Sequence, residues 1–579
     1  MRRRAAARQP QSVILRAMKN RIRLSCLAVL SLSLLSACAT RGVAPVELNL
    51  VSFNDFHGNL DPSKFEYTSI ADNVARAEPA GGIDNIAAAL QAWRKEDKDL
   101  LFVAAGDLVG ASPAMSSLWA DEPSIEALTM AGLFASSVGN HEFDQGRAEL
   151  LRQQHGGCAS IRPDRACKFS PQFAGAGFTY LAANVLDSQT GQPVLPAYRI
   201  TDVKGIKVGL IGAVLKDTAA MVLQSGITGL SFVDEADAVN KVMPEMRAKG
   251  AQVFVLMIHE GGGTKEPFDK PECSGLKGPI IDIARRLDPA IRLIVSGHTH
   301  KGFQCLVEGR TVTQAAMGGH VLTRIKMSVD PRSADVLAIK VHNVVVKPGA
   351  YPPDEKVSAY LNQARARSTA ALTRPLAAVA VRSIGRKPSA AGESALGDLI
   401  ADSVLAATRD YGVQIAFMNA GGMRQDLDVG ADLVATMGQV QIVLPFGNNL
   451  VAMDLTGAQI RELLDQQWVR PGAADPSVLQ ISDGFTYTWN PAAPRGQRVV
   501  PGSLMLHGVA IDERKTYRVA GNNFLAEGGD NFPAFKLATN KRDTNVRDLD
   551  ALSTYLVSRA AAGKPVAYPA PAGRIQIVH

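Results

Sequence analysis

Five short segments of the sequence carry side chains that ligate metal ions. In chain order they are Asp55-x-His57, Gly106-Asp107, Gly139-Asn140-His141-Glu142, His259 and Gly297-His298-x-His300. Imidazoles, one bridging carboxylate and further oxygen ligands are what a pair of divalent cations requires. Two such ions neutralise phosphoryl oxygens and lower the pKa of a water molecule, so that a negatively charged ester can be attacked. The set therefore predicts two-metal hydrolysis of a phosphate ester.

Each of these segments follows an apolar run with the length of a buried strand. The runs are Glu47–Phe53, Leu100–Ala105, Ala135–Val138, Val253–Ile258 and Ile291–Val295. In α/β proteins, binding sites gather beyond the carboxyl ends of strands. A lone histidine or a lone Asp-x-His at a strand end is more often structural. The prediction of one shared site therefore depends on the five segments occurring together.

The length of 579 residues predicts two or three domains, because it exceeds what one hydrophobic core supports. Residues 46–345 alternate apolar strands with amphipathic stretches and form the predicted catalytic domain. Residues 346–374 form the predicted linker and hinge, with an exposed connecting helix over 354–372 that has few large apolar residues. Residues 375–579 form the predicted second α/β domain.

The second domain has its own helix and strand signals. The predicted helices are Glu393–Ala407 and Thr456–Gln466, and the predicted strands include Val413–Met418 and Tyr517–Val519. Thr456 is the expected cap of its helix, whereas Glu462 lies too far along to complete a capping box.

Residues 1–37 have the pattern of a secretion signal. Eight basic residues and no acidic residue accompany an apolar run, Leu24–Leu35, that is too short to span a bilayer. Removing those eight charges takes the formal net charge from +7 to −1. The nearly neutral remainder excludes a nucleic acid polymer as the expected partner.

The signal ends in Leu35-Ser36-Ala37-Cys38, which resembles the bacterial lipoprotein box. That resemblance implies lipidation of Cys38, a tether over 38–45 and attachment to the membrane through the lipid. Because Ala39 follows rather than Asp, it also implies an outer-membrane location that faces the periplasm or the cell surface. A plain secreted protein in which Cys38 is incidental is the alternative, and Met18 is an alternative start.

Four cysteines follow the lipoprotein box, and an even number outside the cytoplasm predicts two disulfide bonds. They are Cys158, Cys167, Cys273 and Cys305. Proximity along the chain pairs the first two, which leaves the last two to pair across the segment that contains the fifth metal motif. Four free buried thiols are the alternative.

The metal motifs resemble those of the calcineurin-like metallophosphoesterases, and of their 5′-nucleotidase branch in particular. The forms that carry the resemblance are Asn54-Asp55-Phe56-His57-Gly58, Gly139-Asn140-His141-Glu142-Phe143-Asp144 and Gly297-His298-Thr299-His300. The resemblance runs from residue 46 to the end. It implies an α/β (α+β) fold, with an N-terminal four-layer α/β/β/α sandwich and a C-terminal α/β substrate-binding domain.

Carried over motif by motif, this resemblance implies two divalent metal ions. Their identity, whether Zn, Mn, Co, Fe or Mg, is left open by the ligand types. The implied ligands of one ion are Asp55, His57, Asp107 and His300, and those of the other are Asp107, Asn140, His259 and His298. His141 becomes the general acid or transition-state stabiliser near the leaving group, and Asp144 orients its ring.

Three segments of the second domain resemble nucleotide-recognition segments of the same family. They are Asn419–Arg424, Pro445–Asn448 and Asn523–Phe532. The resemblance implies that two aromatic rings enclose the base, a contact that contributes about 1–3 kcal/mol per base. The implied contacts are Phe446 and Phe524 for the base, Asp530 for ribose hydroxyls, Asn419 and Asn448 for sugar or base, and Arg424 for phosphate.

The chain departs from the family pattern at Gly392-Glu393-Ser394, where a further arginine is expected. Arg382, Arg386 and Lys387 lie just upstream as candidates to compensate. The departure leaves the preference among mono-, di- and cyclic phosphates open.

The leading expectation is a monomeric enzyme that hydrolyses extracytoplasmic nucleotides, 5′-nucleoside monophosphates first, to nucleoside and phosphate. In-line attack without a covalent enzyme intermediate and closure of one domain over the other are implied. A 2′,3′-cyclic nucleotide 2′-phosphodiesterase with 3′-nucleotidase activity, or a UDP-sugar hydrolase, fits the same architecture. A non-catalytic surface-binding lipoprotein is the alternative from another class, but such a protein should have lost a ligand, and every implied ligand is present.

Overall fold

The computed structural model of the protein describes residues 44–469 and 477–578. The predicted signal segment 1–37 and Cys38 lie outside the described residues, as do positions 39–43 of the tether. Within the two described ranges, every helix is too short or too polar to cross a membrane.

The first part of the described chain alternates strands with helices. Its strands are β1 Val46–Phe53, β2 Ser63–Thr68, β3 Ala75–Ala80, β4 Leu101–Ala105, β5 Ala135–Ser137, β6 Thr179–Leu181, β7 Val185–Asp187, β8 Tyr198–Val203, β9 Ile206–Val214, β10 Leu230–Phe232, β11 Val253–His259, β12 Ile291–Ser296, β13 Gly302–Val307, β14 Arg310–Ala315, β15 Val321–Val329 and β16 Val336–Val345. Its α-helices are Ile83–Glu96, Ala114–Ser117, Glu122–Met130, Gly146–His155, Glu235–Ala248 and Ile280–Arg286. Short 3₁₀ turns lie at His141–Phe143, Lys216–Ala220 and Gln224–Ile227.

Two six-stranded sheets form the centre of this domain, in the orders β16-β15-β1-β4-β5-β6 and β13-β14-β12-β11-β9-β8. Strands β1, β4, β5 and β6 run parallel in the first sheet, and β9, β11, β12 and β14 run parallel in the second. Parallel strands are buried on both faces, which explains the continuous apolar runs of the sequence.

Alternation of side chains along each strand shows how the layers pack. In β1, Leu50 faces the second sheet while Val51 faces the helices that cover the first. In β11, Val255 faces the first sheet while Leu256 faces the helices Glu235–Ala248 and Ile280–Arg286. Helices therefore cover the outer face of each sheet, and the predicted four-layer α/β/β/α sandwich is confirmed.

The connecting helix, Glu355–Leu372, is exposed along one side, as its composition predicted, but its other side is buried. Val357, Leu361, Ala364 and Ser368 are buried against the first domain. The Trp119 indole N–H donates to the Ser368 hydroxyl at 3.0 Å. Two of these four buried residues, Ala364 and Ser368, are small, which lets neighbouring helices pack closely against them. Small residues give little hydrophobic signal, so the sequence did not reveal the buried side of the helix.

The second domain is built around a five-stranded sheet. Its strands are β17 Pro375–Ala378, β18 Ser383–Ile384, β19 Ile415–Met418, β20 Leu427–Asp428, β21 Val434–Thr436, β22 Asn449–Thr456, β23 Gln480–Ile481, β24 Phe485–Trp489, β25 Met505–Leu506, β26 Val509–Ala510, β27 Thr516–Asn522, β28 Thr539–Arg547 and β29 Ile575–Ile577. Its α-helices are Ala395–Ala407, Met437–Val443, Gly457–Asp465, Asn523–Ala526 and Asp548–Ala561. The central sheet has the order β23-β19-β27-β22-β28, and apolar clusters cover both of its faces.

A complete capping box begins the helix Gly457–Asp465, which corrects the sequence analysis. The Thr456 hydroxyl accepts from the Gln459 N–H, and the Thr456 N–H donates to the Gln459 side chain. Gln459 occupies the third helical position, where Gln serves as well as Glu. The sequence analysis considered only Glu462 and therefore missed the box.

Candidate active site

The predicted metal ligands meet at one edge of the two central sheets. Strands β1, β4 and β5 of the first sheet and β11 and β12 of the second all end there. The Asp55 N–H donates to the Gly106 carbonyl at 3.0 Å, which ties two of these strand ends together. The Asp55 carboxylate accepts from the His298 N–H at 3.0 Å, which links the first sheet to the second. The edge is therefore one site.

The backbone of this site is held in a conformation that most residues avoid. The φ angles are +51° at Asp55, +47° at His57, +51° at Asp107, +74° at His298 and +57° at His300. A non-glycine residue in this region costs on the order of 1–3 kcal/mol and persists only where the surroundings impose it. Five of the seven predicted ligands thus have a positive φ angle. The fold holds their backbone in a strained conformation in which their side chains converge.

The ligand atoms form two adjoining groups. In the first, His57 Nε2 lies 3.1 Å from His300 Nε2, and His300 Nε2 lies 3.4 Å from Asp55 Oδ1. In the second, His259 Nε2 lies 3.0 Å from Asp107 Oδ2. Asp107 Oδ2 is also 3.7 Å from His57 Nε2, so this carboxylate lies between the groups.

The remaining two predicted ligands, Asn140 and His298, adjoin each other in the same site. Asn140 Oδ1 lies 3.1 Å from His298 Nδ1. Gly139 precedes Asn140 because no side chain fits there: a Cβ would overlap the Asp107 carboxylate. All seven predicted ligand side chains are therefore brought together.

In two of the predicted histidine ligands, one ring nitrogen is hydrogen-bonded to the backbone. The other ring nitrogen is therefore directed at the carboxylates of the site. The Nδ1 atoms of His57 and His259 donate to the carbonyls of Gly110 and Ala105, at 2.9 and 2.7 Å. In each ring Nε2 is then the atom presented to the site. His259 is fully buried, and its Nε2 lies against the Asp107 carboxylate. A buried lone pair beside carboxylates is what a bound cation satisfies, so the residues present fit divalent metal ions.

The charges of this centre are strongly coupled when no ion is bound. Burial alone would raise the pKa of Asp107, but His259 and His141 hold it well below its ordinary value. Burial opposes a charged His259, yet the adjacent Asp107 raises its pKa to about 10. Burial and the positive His259 lower the pKa of His298 to about 4. One proton is thus held between His259 and Asp107, where a cation would replace it.

His141 and Asp144 form a second unit beside the ligands. His141 Nδ1 lies 2.7 Å from Asp144 Oδ2 within the turn that starts at His141. The His141 N–H donates to Asp107 Oδ1 at 2.9 Å, which fixes this turn to the ligand site. Burial alone would lower the pKa of His141, but Asp144 and Asp107 raise it. The arrangement can present a protonated imidazole to a reacting group.

Glu142 is a site residue to which the sequence analysis assigned no role. Its buried carboxylate accepts the N–H groups of Asp107, Leu108 and Gly139, at 2.9, 2.8 and 2.5 Å. Burial raises its pKa to about 7. Glu142 therefore holds the loop that carries the central Asp107. Its place within a metal motif was a signal, but its contacts depend on the loop conformation.

A cavity of about 210 Å³ joins this centre to the second domain. Its walls include the predicted catalytic pair, His141 and Asp144, and the ligands Asn140 and His298. All six predicted substrate residues line the same cavity: Asn419, Arg424, Phe446, Asn448, Phe524 and Asp530. The structure thus brings the predicted catalytic and substrate residues together across the boundary between the domains.

The polar wall of the cavity is organised by hydrogen bonds within the second domain. The Asn419 amide donates to Asp530 Oδ2 at 2.8 Å and accepts from the Asn522 amide at 3.1 Å. Arg424 is partly exposed, and desolvation by its surroundings lowers its pKa. Its guanidinium lies 5.9 Å from the centre of the Phe446 ring.

One of the two predicted base-stacking rings reaches His141, the predicted catalytic residue. Phe446 lies parallel to His141, with ring centroids 5.7 Å apart and planes 14° apart. Phe524 lines the cavity separately and packs against Gly529. The second domain therefore supplies both aromatic walls of the cavity, and one of them adjoins His141.

The first domain also contributes cavity walls that the sequence analysis missed. These residues are Gln145, Met221, Val222 and Leu223. The last three follow strand β9, which ends at the same sheet edge as the ligand strands. Because β9 is followed directly by Leu215 and none of the five ligand motifs lies after it, the sequence offered no reason to select it.

The departure at Gly392-Glu393-Ser394 has a structural role in this chain. The Glu393 carboxylate accepts the N–H groups of Arg574 and Ile575, at 2.9 and 3.1 Å. The Ser394 hydroxyl caps the helix Ala395–Ala407 by accepting from the Gly397 N–H. Among the upstream cations, Arg386 lies close enough to Arg424 to oppose its charge.

The structure also pairs the four cysteines of the described chain. One disulfide bond joins Cys158 with Cys167, and the other joins Cys273 with Cys305. The second connects the segment after the His259 loop to β13.

Comparisons with known proteins agree on both domains. Residues 48–302 match the family model described as calcineurin-like phosphoesterase, and residues 369–537 match the one described as 5′-nucleotidase, C-terminal domain. The solved structure of a 5′-nucleotidase precursor from Thermus thermophilus superposes with a TM-score of 0.71 at 27% identity. That match covers 92% of this chain and 100% of the other.

Two curated relatives extend the comparison. The endonuclease YhcR of Bacillus subtilis (strain 168) is 32% identical over 542 residues, which cover 93% of this chain and 42% of the relative. A cell wall protein of Listeria monocytogenes serovar 1/2a is 29% identical over 555 residues, which cover 90% of this chain and 68% of the relative. The chain thus spans less than half the length of the first relative.

Proposed function

Because the chain belongs to the 5′-nucleotidase family of calcineurin-like phosphoesterases, we propose that it hydrolyses nucleoside 5′-monophosphates to nucleoside and phosphate outside the cytoplasm. The observation that carries this proposal is the shared cavity. It brings His141 within the same walls as Arg424, Phe446 and Asp530, which come from the other domain. A phosphate at one end and a nucleoside at the other match the chemistry of these walls.

Two divalent metal ions are part of the proposal. One would be held by Asp55, His57, Asp107 and His300, and the other by Asp107, Asn140, His259 and His298. When bound, such ions neutralise phosphoryl oxygens and lower the pKa of water. The buried His259 Nε2 beside the Asp107 carboxylate and the convergence of the other ligand atoms support this assignment.

The nucleotide would be oriented by residues of the second domain. The Arg424 guanidinium forms charge-assisted hydrogen bonds to the phosphate. Phe446 and Phe524 stack on the base, and Asp530, with Asn419 and Asn448, binds the ribose and the base edge. These contacts place the 5′ oxygen near His141.

Hydrolysis would then proceed without a covalent enzyme intermediate. Water attacks phosphorus from the side opposite the 5′ oxygen, and the bond between phosphorus and that oxygen breaks. His141 donates a proton to the departing 5′ oxygen, so that a neutral nucleoside leaves. Asp144 holds the imidazole in position for this transfer.

A second candidate is hydrolysis of a phosphodiester, such as a 2′,3′-cyclic nucleotide, followed by removal of the 3′-phosphate. Two observations favour it. The relative at 32% identity is named an endonuclease, an enzyme that cleaves phosphodiesters. The segment Gly392–Ser394 also serves the structure of the second domain instead of supplying a further arginine for a terminal phosphate. A UDP-sugar hydrolase fits the same walls.

The extracytoplasmic location is likewise proposed, with a lipid anchor on Cys38 at the outer membrane. Both disulfide bonds support an oxidising compartment. Replacing Cys38 by Ser should release the protein from the membrane fraction if the anchor is correct.

The test is phosphate release from 5′-AMP, 3′-AMP, 2′,3′-cyclic AMP, ATP and UDP-glucose, each with and without EDTA, with uridine formation also followed for UDP-glucose. The proposal expects 5′-AMP to be cleaved fastest and EDTA to abolish the activity. If the cyclic substrate is cleaved fastest, the second candidate, phosphodiester hydrolysis, replaces 5′-nucleotidase activity as the proposed function. No cleavage of any substrate after Mn²⁺ or Zn²⁺ is supplied would overturn it.

A further inference from the structure

One wall of the nucleotide cavity is a loop of the first domain, residues 221–225, which we call the wall loop. Met221, Val222 and Leu223 line the cavity together with Phe524 and Asp530 of the second domain. Val222 is buried, whereas its two neighbours are partly exposed. The cavity is complete only when this loop lies against the second domain.

The wall loop is seated firmly on the catalytic side of the first domain. The Gln224 side chain donates to the Ala219 carbonyl at the base of the loop. Gly226, which follows the loop, packs so closely on Gly146 that a side chain at either position would overlap the other. Gly146 adopts φ +80° and comes two residues after Asp144. The wall loop is therefore packed closely on the first domain, so that its position relative to the second domain is what remains to be fixed.

Glu527 of the second domain binds the backbone of the wall loop. Its Oε2 accepts the N–H groups of Gln224 at 2.7 Å and Ser225 at 3.3 Å. Hydrogen bonds to a charged acceptor are about twice as strong as neutral ones. This carboxylate therefore connects the two domains directly beside the cavity.

The position of Glu527 in the chain makes this contact significant for the substrate. It follows the short helix Asn523–Ala526, three residues after Phe524 and three before Asp530. Both neighbours line the cavity, but Glu527 does not. The carboxylate thus fixes the aromatic and polar walls of the second domain against the apolar wall of the first.

We propose that Glu527 is a positioning residue that holds the wall loop against the second domain and so sets the affinity for the nucleoside part of the substrate. The inference rests on the proposed function for the identity of that substrate. The contact itself does not depend on which phosphate ester is cleaved.

The experiment compares Glu527→Ala and Glu527→Gln with wild type, using 5′-AMP and p-nitrophenyl phosphate on the Mn²⁺-loaded protein. The matched control is Glu513→Ala, which removes a carboxylate of the second domain that pairs with Arg461 on the surface. Glu527→Ala should raise KM for 5′-AMP about tenfold with a much smaller change in kcat, because two charge-assisted hydrogen bonds are lost. Its effect on p-nitrophenyl phosphate should be much smaller, since that substrate lacks a nucleoside.

Glu527→Gln should recover most of the affinity, because its amide oxygen still accepts both N–H groups. The control variant should match wild type with both substrates. A KM for 5′-AMP in Glu527→Ala equal to that of the control would overturn the proposal. Equal losses with both substrates would also overturn it, since they would indicate a general structural role.

Small-angle X-ray scattering separates failure of this inference from failure of the proposed function. Without the Glu527 contact, more open arrangements of the domains should gain population, and the radius of gyration should rise above that of wild type and of Glu513→Ala. This result is expected even if the protein cleaves p-nitrophenyl phosphate and no nucleotide. Identical scattering of all three proteins would contradict the proposal in either case.

Discussion

The metal-ligand edge of the first domain and the nucleotide cavity between the domains are built in different ways. The edge consists of strand ends, and most of its ligands are locked in a left-handed backbone conformation. The cavity takes Arg424 and Phe524 from one domain and the wall loop from the other. We therefore expect bond cleavage to depend on the first domain alone, whereas nucleotide affinity should depend on how the two domains are held together.

The largest effect that would test this division is expected from Asp107→Asn. The Asp107 carboxylate lies between the two ligand groups, 3.0 Å from His259 and 3.7 Å from His57. Because bound ions supply several kcal/mol of transition-state stabilisation, kcat/KM should fall by about 10³-fold or more. The loss should be equal for 5′-AMP and p-nitrophenyl phosphate. Steady-state kinetics together with metal analysis of the purified variant checks the prediction.

Asp202→Asn is a suitable control for this change, because Asp202 is an exposed aspartate of the same domain. Its kinetics and metal content should match wild type. Full activity with a normal metal content in Asp107→Asn would contradict the prediction, because bond cleavage would then not depend on the metal-ligand edge.

The next effect in size is expected from His141→Ala. Loss of a general acid lowers kcat by about 10²–10⁴-fold. The loss should be large for 5′-AMP, whose leaving oxygen needs a proton, and small for p-nitrophenyl phosphate, whose leaving group is stable as an anion. Asp144→Asn should act in the same direction by about tenfold, because an orienting partner contributes less than the residue it orients.

The ratio of the two substrate effects is the decisive readout for His141. Equal losses with both substrates would assign His141 to stabilising the phosphoryl group instead of protonating the leaving oxygen.

A smaller effect, on affinity, is expected from the aromatic residues. Phe524→Ala should raise KM for 5′-AMP about tenfold, because stacking on a base contributes about 1–3 kcal/mol. Phe446→Ala should lower kcat in addition, because this ring also packs against His141 with centroids 5.7 Å apart. Substrate titrations of both variants separate KM from kcat. Identical kinetic changes in the two variants would show that the rings do not have the separate positions assigned to them.

The two regions also differ in how far the sequence revealed them. Asp55 and His57 were predictable because they follow a buried strand in one local motif, and the strand ends of a parallel sheet meet. The role of Glu142 required the loop conformation, since its partners are backbone N–H groups. Val222 lies in no motif. Glu527 lies within the predicted segment Asn523–Phe532, but its role was not predictable, because its contact arises only where the domains meet.

The connecting helix shows a related limit. Its buried stripe includes Leu361 but also Ala364 and Ser368, so hydrophobic periodicity alone was too weak to reveal it. Close packing of helices favours small residues, and small residues give little hydrophobic signal. The capping box at Thr456 was missed for a simpler reason, because Gln459 was not considered as the reciprocal partner.

The smallest effect is expected from Ser394→Ala, which tests whether the departing segment belongs to the nucleotide cavity at all. The Ser394 hydroxyl accepts from the Gly397 N–H at 3.1 Å and so caps the helix Ala395–Ala407. Removing a capping hydroxyl lowers the free energy of unfolding by about 1 kcal/mol. Urea denaturation of the second domain, followed by tryptophan fluorescence, measures this change.

KM for 5′-AMP in Ser394→Ala should equal that of wild type, because the segment is bound to Gly397, Arg574 and Ile575 and lies outside the cavity lining. An increase in KM without a loss of stability would place the segment at the phosphate after all. In that case the segment would contact the phosphate in addition to Arg424, and the cavity would extend further into the second domain than its walls indicate. A lower free energy of unfolding with an unchanged KM would instead show that the segment has only a structural role. Recognition of the substrate would then depend on the second-domain residues that line the cavity with His141.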